Sequence, residues 1–127
     1  MKIFIPILLL CFVVFVGCYS DNEETLYEDY LKDCIVTEAF FVRDIQPIFV
    51  AKCDRCHSES NAPISGDGID LGSYEKIVEF EKKYPNILVQ SLKQEGGALP
   101  MPRGDRKLDI CNIKKVEFWV NDSLPNN

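Results

Sequence analysis

The chain holds a single histidine, His57, and beyond Met1 a single methionine, Met101, so chemistry that needs several imidazoles or a group of thioethers is excluded. No nucleophile–base pair, phosphate-binding glycine loop or carboxylate dyad stands out, which leaves hydrolase readings without support. Basic residues are also scarce, with 14 Lys and Arg against 20 Asp and Glu and a net charge of −6. Binding to nucleic acid rests on clustered Lys and Arg that neutralise phosphates, and this balance disfavours it. Long apolar runs are confined to Ile3–Val16, short of the roughly 20 residues that a membrane-spanning helix requires. Internal repeats and low-complexity segments are absent.

That one apolar run follows Met1-Lys2 and reads as the core of a secretion signal behind a short positive start. It ends at Gly17-Cys18 and turns at once into Ser20-Asp21-Asn22-Glu23-Glu24. Phe15-Val16-Gly17-Cys18 resembles the lipobox of bacterial lipoproteins, in which a small residue precedes the cysteine that is lipidated and becomes the mature N-terminus. The resemblance implies a signal peptide over 1–17, lipidation at Cys18, and a protein held on a membrane from the periplasm or cell surface without crossing it. Tyr19–Leu31 carries five acidic residues and no basic one, so 18–33 is expected to form an acidic tether. Removing 1–17 takes one basic residue away, leaving thirteen against twenty and a charge of −7. What remains has the length of one domain with a small core.

Cys53-Asp54-Arg55-Cys56-His57 is the most informative stretch of that domain. In an exported protein, a C-x-x-C-H run is the attachment signature of c-type haem. Residues three apart share a face of a helical turn, so both thiols can reach the two vinyl groups of one porphyrin. The adjacent imidazole then falls beneath the iron as an axial ligand. A structural zinc site and a dithiol redox pair are the alternatives. Zinc requires four converging ligands, and here the lone histidine would have to share the metal with its own neighbour in sequence. The other cysteines fall into place around this reading. Cys11 leaves with the signal, Cys18 is the lipidation candidate, and Cys34 and Cys111 are left to form a disulfide outside the cytoplasm, two free buried thiols being the alternative.

Apolar spacing and capping residues predict four helices. Asp44 is expected to cap a helix running to Cys56, with Pro47 in its first turn and Ile45, Ile48, Phe49 and Cys53 inward. The β-branched and aromatic stretches Ile35-Val36 and Phe40-Phe41-Val42 are expected to run extended. Ser58–Gly72 reads as loop, in which a carbonyl near Pro63 could accept from the outer nitrogen of His57. Further helices are expected from a Ser73 cap through Lys83, over Asn86–Gln94, and from an Asp109 cap over Ile110–Val120 with Trp119 in the core. Between the last two, Leu99-Pro100-Met101-Pro102-Arg103-Gly104 forms a stiffened loop, where Met101 is the candidate for the second axial ligand; a lysine or an open position is the alternative.

Taken in order, Asp44-Ile45-Gln46-Pro47-Ile48, the C-x-x-C-H run, Gly68-Ile69-Asp70-Leu71, Leu99-Pro100-Met101-Pro102 and Leu108-Asp109-Ile110-Cys111 with Trp119 closely resemble bacterial monohaem class I-like cytochrome c domains. The similarity covers about residues 34 to 126, so the haem domain is set at 34–127. It implies an all-α fold, a small bundle of three to five helices wrapped around one covalent haem c with its iron, Cys53 and Cys56 as anchors, His57 and Met101 as axial ligands, and the relay of single electrons between redox partner proteins rather than enzymatic turnover. Arg103, Arg106, Lys107, Lys114 and Lys115 gather around the methionine loop and last helix, where they are expected to steer an acidic partner. A haem-based sensor or peroxidase-like enzyme with an open sixth position is the competing expectation, followed by a lipoprotein whose cysteines are structural.

Overall fold

A computed structural model describes residues 34–127. The expected signal peptide, the tether and Cys18 lie outside the described residues. Among the described residues every regular element is helical, and the domain is a small all-α bundle. A π-helical turn, Phe41–Ile45, runs directly into α1, Gln46–Lys52. Next come α2, Asp54–His57, and α3, Ala62–Ser65. The longer α4 spans Tyr74–Lys83, α5 spans Ile87–Lys93, and α6 spans Ile110–Asn121. No described helix is long and apolar enough to cross a membrane.

Two of the expected caps hold their helices as the sequence suggests. Ser73 Oγ accepts from the Lys76 N–H at 3.3 Å, and Asp109 Oδ1 accepts from the Asn112 N–H at 3.0 Å. Each takes up a first-turn donor that has no partner inside the helix.

The first helix departs from expectation at both ends. It begins at Phe41, not after Asp44, so Phe41 and Val42 are helical rather than extended. Asp44 sits one turn in and reaches back to accept from the Phe40 N–H at 3.0 Å. The next free donors, the N–H groups of Phe41 and Val42, are taken by the side-chain and main-chain oxygens of Asn127, at 2.9 and 3.1 Å. At the far end the expected single helix breaks at Cys53, dividing α1 from α2. The predicted loop 58–72 also contains α3, whose Pro63 stands in the first turn, where its missing N–H costs nothing.

Trp119, Ile45, Ile77, Ile113 and Val116 are the fully buried centre. Phe41 packs edge-on to Tyr74 with ring centroids 5.0 Å apart and lies 5.5 Å from Trp119. The two polar tips of this cluster are satisfied by the C-terminal tail: Trp119 Nε1 donates to the Pro125 carbonyl at 2.8 Å and the Tyr74 hydroxyl to the Leu124 carbonyl at 2.7 Å. The tail therefore closes over the aromatic cluster before Asn127 caps the π-helical turn.

Asp44 ties these parts together electrostatically. Burial alone would raise its pKa, but the Phe40 N–H, the Arg43 guanidinium and the Lys115 ammonium outweigh burial and hold the carboxyl below its ordinary 3.8. A depressed folded value means that Asp44 stabilises the fold above pH 3.8 and that this contribution disappears as acid titrates the folded carboxylate. Asp44→Ala should cost about 1–2 kcal/mol at neutral pH. Urea melts should show the gap from the parent narrowing as the pH is taken below 3.8.

Candidate functional site

The break after α1 builds the site. Cys53 leaves the helix with φ −113°, and its carbonyl accepts from both the Cys56 N–H at 3.0 Å and the His57 N–H at 2.8 Å. That tight turn keeps both cysteines and the histidine on one short segment. Neither thiol is in a disulfide, and both are half-buried. Cys53 packs against the hydrophobic core. Burial, reinforced by the neighbouring Asp54 carboxylate, pushes its thiol up to about 12. At neutral pH it is a protonated thiol, unlike the exposed low-pKa thiolates of redox pairs and metal sites. Among the described residues no three His, Cys, Asp or Glu side chains gather around one point as metal ligands, the motif included.

His57 is held from two sides. Its Nδ1 lies 2.9 Å from the Ile69 carbonyl oxygen. A carbonyl only accepts, so Nδ1 carries the proton and Nε2 keeps its lone pair, the arrangement found in metal-ligating histidines. The main chain is fixed as well, since the His57 carbonyl accepts from the Leu71 N–H at 2.7 Å. The partner carbonyl thus belongs to Ile69 and not to the surroundings of Pro63. The chain reverses through Gly66–Gly68 after α3 and brings Ile69 back to the ring. Gly66 makes that return possible, because a Cβ there would stand 3.0 Å from both His57 Nδ1 and the Ala62 Cα and would press on the Cys56 carbonyl. The paired glycines and the following Ile69-Asp70-Leu71 were the available signal in the sequence.

Met101 is half-buried on the long connection between α5 and α6, and its N–H donates to the Ser91 carbonyl of α5 at 3.1 Å. Two residues on, Arg103 Nη2 lies 3.4 Å from Asp67 Oδ2, in the turn that serves His57. Sequence reasoning missed both links: one uses only backbone atoms and the other joins exposed side chains far apart in the chain. Ile64, 83% exposed on α3, and Leu99, 60% exposed on the connection that carries Met101, present large apolar side chains. Cys34 and Cys111 are joined, with Cα atoms 5.6 Å apart, tying the first described residue to the start of α6.

The expected basic group divides. Lys115 Nζ is 3.4 Å from Asp44 Oδ1 and Lys114 Nζ donates to the Cys34 carbonyl at 3.1 Å, so both serve the N-terminal segment. Arg106 and Lys107 stay exposed on the connection that carries Met101.

Glu81 is a carboxylate only 6% exposed on α4. Its Oε1 accepts from the Asn86 N–H at 2.6 Å at the entrance to α5, while Oε2 is buried without a protein partner. Burial lifts its pKa above the ordinary 4.5, against the pull of the Asn86 and Leu88 N–H groups. With the folded value raised, the unfolded chain ionises first, so Glu81 weakens the fold as the pH climbs past 4.5. Glu81→Gln keeps an acceptor for Asn86 and removes the charge. Its Tm should exceed that of the parent at pH 7, and the difference should vanish below pH 4.5.

No family model and no solved structure matches the chain. Among curated proteins, hydrazine synthase subunit alpha of Kuenenia stuttgartiensis is 44% identical over 48 residues, a stretch amounting to 38% of this chain. The match spans only 6% of that subunit, so the likeness is to a small part of a much longer protein.

Proposed function

We propose that residues 34–127 are a monohaem c-type cytochrome domain that passes single electrons. The observation that carries this reading is His57, whose Nδ1 is tied to Ile69 while Nε2 has no hydrogen-bond partner among the described residues, on the same turn as two unpaired cysteines. The residues fit the group. Cys53 and Cys56 would hold it by adding their S–H bonds across its two vinyl groups, and His57 Nε2 would ligate the iron. Met101 would be the second protein ligand, its sulfur favouring a higher potential than a second imidazole. A covalent haem would supply one-electron chemistry.

The protein's own contribution is to fix the donors. The Ile69 carbonyl sets the tautomer and orientation of His57, and the Ser91 carbonyl seats Met101 through its backbone. Ile64 and Leu99 add apolar surface that a porphyrin would cover, excluding water. Arg106 and Lys107 offer positive charge to an acidic partner near the methionine loop, while Lys114 and Lys115, engaged elsewhere, do not. The N-terminal pattern supports export, lipidation of Cys18 and a place on the outer side of a membrane, either periplasmic or at the cell surface. The partial likeness to a synthase subunit is compatible with a free carrier and with a module that docks to a larger oxidoreductase.

Visible and near-infrared spectra of the purified, matured protein in both oxidation states test the reading. The expected result is a low-spin c-type spectrum with a sulfur-to-iron charge-transfer band in the oxidised form. In Met101→Ala that band should disappear and the reduced protein should bind carbon monoxide readily. A parent protein that already binds carbon monoxide and lacks the band would instead be a sensor or a peroxidase-like enzyme.

A further inference from the structure

The turn that holds His57 also reaches the loop that presents Met101. On one side, the N–H groups of Gly66 and Gly68 donate to the Ala62 carbonyl at 3.1 and 2.8 Å, and the Ile69 N–H closes the turn on the Gly66 carbonyl at 2.9 Å. This fixes the Ile69 oxygen against the imidazole. Between these residues Asp67 is left-handed, with φ +53°. Glycine or asparagine would meet that backbone demand equally well, since both enter this region readily. Aspartate adds a carboxylate, and the carboxylate meets Arg103. On the other side Arg103 follows Met101 and Pro102, and Met101 is otherwise seated by one backbone hydrogen bond to Ser91.

We propose that Asp67 and Arg103 form a latch that couples the two loops, so that the stretch carrying Met101 stays docked while the pair is closed and swings out more often when it is open. The latch is a positioning device: neither residue would touch the iron, and its meaning for the sixth ligand rests on the haem reading above. Both side chains are about three-fifths exposed, at 62% and 61%, so the pair is open to salt and solvent. It biases a local opening without contributing much to global stability.

The test is a charge-reversal cycle on the matured full chain: Asp67→Arg, Arg103→Glu, and the two combined. One readout is hydrogen exchange at the Met101 amide, which the Ser91 carbonyl protects whether or not the protein is coloured. The other is the rate at which imidazole at saturating concentration replaces the native sixth ligand of the oxidised protein. Each single variant should speed both processes about 3- to 10-fold, the double variant should return to within about 2-fold of the parent, and about 1 M salt should abolish the differences. The melting temperature of Arg103→Glu should stay with that of the parent, and the strain of arginine at the left-handed position 67 should lower those of Asp67→Arg and the double variant equally. Singles indistinguishable from the parent at low salt, or a double variant at least as fast as the singles, would overturn the latch. A colourless protein that still shows the exchange pattern would keep the latch and remove the haem reading; a coloured one without the pattern would do the reverse.

Discussion

A chain with Cys53 and Cys56 both replaced by serine should carry no pigment that survives unfolding, whereas the parent, expressed with haem-maturation machinery, should retain its colour through denaturing electrophoresis and gain the mass of one porphyrin. The effect is all-or-none because serine cannot form a thioether, and any bonds that His57 and Met101 would make to the iron would break when the chain unfolds. Each single replacement leaves one covalent link, so colour should persist with an altered spectrum. In the matured parent both sulfurs would be thioethers and in the double variant both are hydroxyls, so the two proteins should differ in pigment and not in thiol content at these positions. A matured parent without covalent porphyrin, or a double variant that keeps it, would end the cytochrome reading.

Trp119→Ala should be the most damaging single change to the fold. Trp119 has no exposed surface, packs on Phe41 and Tyr74, and supplies the N–H that satisfies the Pro125 carbonyl. Truncating a buried tryptophan to alanine typically costs about 3–5 kcal/mol, and leaving the Pro125 carbonyl of the tail without its indole N–H donor adds to that. Small domains have about 5–15 kcal/mol in all, so the variant should be partly unfolded at physiological temperature. Trp119→Phe keeps an aromatic ring but not the donor and should fall between the two. Tyr74→Phe, which loses only the bond to Leu124, should cost about 1 kcal/mol. Denaturant melts of the set read out the order, and a Trp119→Ala protein as stable as Tyr74→Phe would mean that the aromatic cluster does not organise the core.

The parts of this domain visible in the sequence are those whose cause lies within a few residues. Ser73 and Asp109 each bind an N–H three positions on, so α4 and α6 could be placed from side-chain type and spacing alone. The cysteine–histidine turn is local in the same way. The start of the first helix was misplaced because the groups that complete it, on Asn127, lie at the far end of the chain. With those partners hidden, Asp44 looked like a cap rather than a group one turn inside. The carbonyl that orients His57 was hidden for a related reason: any residue can offer one, and only the reversal permitted by Gly66 selects Ile69. The seat of Met101 on Ser91 is likewise a backbone contact that residue identity does not encode.

The bond between Cys34 and Cys111 has a mechanical consequence. A pull that enters along the chain at residue 34 passes through sulfur directly into the head of the last helix. The covalent path for that tension therefore skips residues 35–110, which include both cysteines of the motif, His57 and Met101. The working parts hang beside the load, not in line with it.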